Sequence, residues 1–118
     1  MVTTRKVLYG GGHPGCQITT GVSASAAVVT GSGVFFGLLM KCDGTNDVVL
    51  NVFDSASAAG TKLIPTDLVF DGTVLANALS FAPGVNFDTG LYLEIAVAGG
   101  GATEIQLLYI LDDISSVH

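Results

Sequence analysis

Two apolar runs separated by a short polar linker constrain the fold of this chain more than any other feature. Residues 33–53 read GVFFGLLMKCDGTNDVVLNVF, in which Asp, Gly, Thr and Asn interrupt residue types that favour β-strands. The segment therefore predicts a strand, a turn and a second strand. Runs of the same kind, separated by Gly, Pro, Asp, Asn and Ser clusters, continue to the C-terminus.

No window shows the 3.6-residue period and the caps of a helix, so the chain is predicted to be all-β. Its 118 residues suit one domain with a single core. We expect a two-sheet β-sandwich, jelly-roll-like, with about eight short antiparallel strands. The predicted strands cover residues 5–9, 17–20, 26–30, 34–42, 48–54, 62–70, 74–81, 91–98 and 103–111.

The first residues differ from the remainder of the chain. VTTRKVLYGGGHPG contains two cations, a short apolar stretch and a Gly-rich hinge, so it buries little by itself. We divide the chain into an N-terminal arm or extended segment, 1–25, and a β-sandwich domain, 26–118. The arm is predicted to grip a neighbouring subunit or the surface on which the protein assembles.

The predicted strand 34–42 is apolar on both faces. One face carries Phe35 and Leu39. The other carries the apolar side chains of Val34, Phe36, Leu38, Met40 and Cys42. Such a strand lies centrally between two layers, or its second face is covered by a neighbouring copy. Cys42 is predicted to be a small buried hydrophobe.

The last two strands are predicted to form a hairpin closed by Gly99-Gly100-Gly101. In that register Leu93 lies opposite Leu107, and Glu94 lies beside Gln106. Apolar residues then share one face, which a one-residue slip would turn outward. Glu94→Ala is expected to matter little to folding.

Charge argues against nucleic acid as a partner. The net charge is −6, and all four cations lie in the first 62 residues. Such a surface repels phosphate.

No apolar run approaches a membrane span, and the N-terminus lacks a signal-peptide core, so we predict no membrane partner and synthesis in the cytoplasm. The 12% of charged residues is about half the usual share, which favours contact with another protein copy.

No catalytic, cofactor-binding or metal-binding residue is predicted, and the chain is predicted not to be an enzyme. Gly10, Gly12 and Gly15 match GxGxxG, but Pro14 and β-type residues follow where a helix should begin. His13 and His118 are the only imidazoles, and neither has a second ligand at metal-site spacing. Neither cofactor nor metal is therefore expected.

Polar residues in the other loops have simpler explanations. Asp43, Asn46 and Asp47 lack the DxDxDG order of a calcium loop and are predicted to form a turn. Cys16 and Cys42 make no disulfide framework. Tyr92 is the one aromatic on a predicted outward strand face; a cross-strand packing partner is favoured over a sugar-stacking platform.

Three segments, GSGVFFGLLMK, VVLNVFDSASAAGTKLIP and FDTGLYLEIAVAGGGATEIQLLYI, resemble a recurring class of small bacteriophage virion proteins. That class has a Gly-started strand, a V-x-x-D-x-x-S-A-x-G-T segment, a G-L-Y-V strand and a last strand closed by Tyr. Here the matching positions are 52–61, 90–93 and 103–110, and the resemblance covers about residues 30–110. Similar proteins are head decoration or cement proteins and small adaptor or tail components, all jelly-roll or sandwich modules without enzymatic activity.

The resemblance implies a non-enzymatic structural protein of the virion, made in the host cytoplasm. We expect a capsid decoration or cement protein that oligomerises on the outer head, with the phage major capsid protein as partner. A homo-oligomer is expected, and a trimer is favoured because it fits the three-fold positions of icosahedral shells. The alternatives are a head–tail adaptor or tail component, or a carbohydrate-binding fibre module.

Overall fold

The computed structural model describes residues 16–112 as nine β-strands in two antiparallel sheets. The only helical element in that range is a 3-10 turn at Ala98–Gly100. The strands are β1 (Gln17–Ile18), β2 (Ala26–Thr30), β3 (Gly33–Cys42), β4 (Val48–Asp54), β5 (Thr61–Lys62), β6 (Leu68–Phe70), β7 (Ala76–Phe87), β8 (Gly90–Val97) and β9 (Thr103–Leu111). The predicted strand 5–9 lies outside the described residues.

The strand order is that of a jelly roll. The first sheet has the order β1-β9-β3-β7, and the second has the order β2-β8-β4-β5, with β6 also pairing β4. Pairing is nested, because β1 pairs with β9, β2 with β8 and β3 with β7, while β4 pairs with the short β5 and β6. Two four-strand halves facing each other in this way make an eight-stranded jelly roll, in which β5 and β6 share one position. The predicted fold class is confirmed.

The predicted C-terminal hairpin is wrong. β8 pairs with β2 and β4 in the second sheet, whereas β9 pairs with β1 and β3 in the first. The glycine-rich turn after β8 therefore carries the chain from one sheet to the other. The predicted inward faces are right, since Leu93 and Leu107 are both fully buried. They belong to opposite sheets of one core and are not neighbours in one ladder.

The predicted faces of β3 are wrong because a β-bulge at Gly37 changes the alternation of its side chains. Its register with β7 and with β9 shifts between Phe35 and Gly37, so the side chains alternate differently on the two sides of the shift. Phe35 thus shares the inner face with Leu38, whereas Phe36 does not. Gly37 has φ +143°, and a Cβ there would lie 2.0 Å from the carbonyl oxygen of Leu79. Only glycine fits this position without strain.

Two of the predicted strands, 62–70 and 74–81, differ most from the observed strands. The predicted strand 62–70 is divided into β5 and β6 by a loop that contains Pro65 and Asp67, the latter with φ +51°. The predicted strand 74–81 begins later and continues to Phe87, through Pro83. Proline is tolerated there because β7 is an edge strand.

The core lies between the two sheets. Phe35, Leu38 and Leu107 of the first sheet face Leu50, Leu93 and their neighbours of the second, and all five are fully buried. Cys42 is buried among them, as predicted.

The described part of segment 1–25 contributes β1 to the first sheet. β1 pairs with β9, Val22 forms a bridge to Ile105, and the backbone N–H of Leu107 donates to Oγ1 of Thr19 at 3.0 Å.

Candidate interaction surface

Part of the outward face of the first sheet is apolar. β3 and β9 bury alternate side chains, and the residues between them point away from the core. We define the outer apolar face by residues of three adjacent strands: Ile18, Val34, Phe36, Leu39, Leu108 and Ile110. Ile18 is 48% exposed and Leu39 is 42% exposed, whereas the other four are half-buried. A soluble domain normally scatters such residues singly, so a continuous row marks a candidate interface.

A shallow groove of about 450 Å³ crosses this face beside Leu39. Its floor includes Ala76 and Ala78 of β7, and Gln106 of β9 lies opposite Leu39. Lys41 and Glu104 are the charged residues of its lining, and they are register partners on β3 and β9. The groove therefore has little net charge although the whole chain carries −6.

An acidic loop region lies at the end of the first sheet. Asp43 Oδ1 accepts the backbone N–H of Asn46 at 2.7 Å and of Thr45 at 2.8 Å, and its Oδ2 accepts Nδ2 of Asn46. These hydrogen bonds lower the pKa of Asp43 to about 2. Asp47 accepts the backbone N–H of Gly72, which links two loops. The Asp43 oxygens thus bond within their own turn, whereas the Asp47 oxygen fixes a distant loop.

Burial makes the Cys42 thiol chemically inert. Desolvation raises its pKa most; Nδ2 of Asn77 lowers it by a 3.5 Å hydrogen bond, and the charges of Asp43, Asp71 and Asp47 raise it further. A thiol with a raised pKa is protonated and a poor nucleophile.

A polar network on the outer side of the second sheet was not anticipated. Asn51 of β4 is only 4% exposed, and its Nδ2 donates to Asp67 Oδ1 at 2.9 Å and to Glu94 Oε1 at 3.0 Å. Its Oδ1 accepts the backbone N–H of Asp67 at 2.7 Å. The amide thereby fixes the loop before β6 to the sheet. A single Asn inside the apolar run VVLNVF was the available signal.

Tyr92 lies in a cross-strand pair. Its register partner on β4 is Phe53, which is buried, and Nζ of Lys62 lies 5.3 Å from the centroid of the Phe53 ring. Tyr92 itself is half-buried. It packs within the sheet, which agrees with the interpretation favoured above.

Gly10, Gly12, Gly15, His13 and His118 lie outside the described residues. Within residues 16–112 no three His, Cys, Asp or Glu side chains are grouped to hold a metal ion. No helix in the same range is long and apolar enough to cross a membrane.

Comparisons with family models, with curated proteins and with solved structures found no match to this chain.

Proposed function

We propose that this chain is a non-enzymatic structural protein of a bacteriophage particle, a decoration or cement protein that oligomerises on the outer head and stabilises the shell. The observation that supports this function best is the outer apolar face on a jelly-roll sandwich. Jelly rolls recur among viral capsid domains, although a fold by itself does not define a function.

The proposed mechanism is burial of surface. A stable interface buries about 800 Å² on each partner. The major capsid protein and neighbouring copies of this chain are the partners that cover the outer apolar face. Binding only to the assembled shell stabilises that shell by mass action, because the free capsid subunits offer no such site. The acidic surface disfavours nucleic acid and membrane phosphates as partners. The protein functions in the virion after synthesis in the host cytoplasm.

The test is to mix the protein with phage particles that lack it and to image them. Regular density over the shell is expected. Density at one vertex supports the head–tail adaptor. Absence of binding contradicts both the cement protein and the adaptor, and the carbohydrate-binding fibre module then remains.

Leu39→Asp places a charge on the outer apolar face without touching the core, so it is expected to abolish shell binding. Val69→Asp is the matched control, because Val69 is 57% exposed on β6 of the second sheet. If both variants bind like the wild type, the outer apolar face is not the contact.

A further inference from the structure

β7 forms a free edge of the first sheet. It is the last strand in the order β1-β9-β3-β7 and is 12 residues long. The chain has no charged residue between Asp71 and Asp88. Natural edge strands are protected by short length, charge, bulges or proline, since an open edge pairs with other chains. Within β7 only Pro83 and the bulge give such protection, so the stretch 76–82 is an open edge among the described residues.

The backbone groups at this edge can be assigned from the ladder with β3. The Cys42 N–H donates to the Leu75 carbonyl at 2.8 Å, and the same register continues from Lys41 with Ala76 to Gly37 with Ser80. Hydrogen-bonded and non-hydrogen-bonded pairs alternate in an antiparallel ladder. Asn77 and Leu79 therefore direct their N–H and C=O groups to β3. The residues that direct theirs to the free edge are Ala76, Ala78 and Ser80.

The side chains at the edge leave room for another strand. Ala76, Ala78 and Ser80 are exposed, and strand side chains point to the faces of the sheet and not along it, so a second backbone can approach to the usual strand spacing of about 4.8 Å. Leu75, 61% exposed, precedes the strand, and Pro83 is exposed near its middle. The edge thus combines unpaired backbone groups with exposed apolar residues at both ends of the open stretch.

We propose that β7 pairs with β7 of a second copy of this chain, antiparallel and about a two-fold axis. An isologous contact of this kind closes on itself and leaves no open edge at the junction. A register centred on Leu79 places Leu75 opposite Pro83 of the partner subunit, so each covers an exposed apolar residue. The absence of charge in this stretch lets two acidic copies approach here with least repulsion.

The pair joins two four-stranded sheets into one continuous sheet. It does not depend on the proposed function, because it rests only on the position of β7 as the last of the described strands in the first sheet. The pairing predicts a dimer of the free protein. The trimer expected above rested only on the symmetry of icosahedral shells.

Amide hydrogen exchange, measured by NMR at low and high protein concentration, tests the pairing residue by residue. The Ala76, Ala78 and Ser80 amides are expected to exchange at least about tenfold more slowly in the dimer, whereas Asn77 and Leu79 are protected at both concentrations. A monomer at all concentrations overturns the proposal. So does protection of the three amides already in the monomer, which means that the same chain covers the edge.

Ala78→Pro removes one edge-directed N–H and leaves the bonds to β3 in place. It is expected to weaken the dimer roughly tenfold or more by sedimentation, because the symmetric pair then lacks two hydrogen bonds, one from each copy. Ala78→Val keeps the N–H and is the control, expected to dimerise like the wild type. If Ala78→Pro fails to fold by circular dichroism, Ala76→Pro at the first residue of the strand replaces it. Equal dimerisation of the proline and valine variants overturns main-chain pairing.

Discussion

Asn51→Asp should strongly lower the stability of the protein, because Asn51 is a buried amide of the second sheet. The substitution keeps the oxygen that accepts the Asp67 N–H, but it removes both donors to Asp67 and Glu94. It also adds a carboxylate at a site that is 4% exposed, about 3 Å from two others.

The size of the effect follows from these contacts. Two charge-assisted hydrogen bonds to partly solvated carboxylates contribute about 1 kcal/mol each after discounting for solvent. Repulsion from each neighbouring carboxylate costs about 1 kcal/mol even at the dielectric constant of water. We therefore expect Asn51→Asp to lower the free energy of unfolding by about 4 kcal/mol at pH 7, a large part of a small domain's stability.

The defect should depend on pH with a definite sign. Burial and two like charges raise the pKa of the new carboxyl in the folded state above its unfolded value of about 3.9. Protonation of the folded state therefore relieves the repulsion and restores a donor. The loss of stability is greatest above the folded pKa and shrinks as pH falls through it.

Urea unfolding followed by circular dichroism at pH 7, 6 and 5 measures this effect. Asn51→Ala is the control, because it removes the same hydrogen bonds without adding a titratable group, so its defect should change little over that range. A loss of less than about 1 kcal/mol at pH 7 for Asn51→Asp, or a defect that stays constant to pH 5, would refute the assigned role of Asn51.

Two further predictions concern the core and acid stability. Leu93→Ala and Leu107→Ala each empty a fully buried site and should lower the free energy of unfolding, measured in urea, by about 2–5 kcal/mol. Glu94→Ala removes one of the two carboxylates that accept from Asn51 and should cost about 1 kcal/mol. If Glu94→Ala costs more than either leucine substitution, the face assignment is wrong. Desolvation raises the pKa of Asp54, but the backbone N–H groups of Thr89, Asp88 and Gly90 outweigh it, so the pKa lies below the ordinary 3.8. The stabilisation by Asp54 is present above its unfolded pKa and is lost as pH falls through its lower folded pKa. The difference in unfolding free energy between wild type and Asp54→Asn should therefore shrink as pH falls below about 4, and a difference that stays constant or grows would contradict this.

Local pattern was sufficient for most strands and their faces. Strands β2, β4 and β9 have the predicted bounds, and Leu93, Ile105 and Leu107 point inward as their alternation requires. The turn built on Asp43 was also readable, because Asp and Asn bond their own backbone. These features depend on residues near one another in the chain, and composition and spacing report such interactions directly.

The sequence did not determine which strands pair. Period-two alternation specifies the face that a side chain takes, but both sheets of a sandwich bury their inner faces in the same core. A hairpin of β8 with β9 and a crossing between sheets therefore require the same apolar pattern in Leu93 and Leu107. The choice was made by distant partners, because β8 pairs with β2 and β4 and leaves β9 to β1 and β3.

The candidate surface depended on tertiary structure for the same reason. The bulge at Gly37 is defined by the register of β3 with its two partner strands, and it places Phe35 instead of Phe36 on the inner face with Leu38. Likewise β7 is an open edge only because no described strand lies beyond it. Alternation in the sequence determined which residues of each strand share a face. Strand order, which only the tertiary structure shows, decided which of those faces and edges remain uncovered. The physical reason is that pairing between two distant segments leaves no periodic pattern in the sequence of either segment.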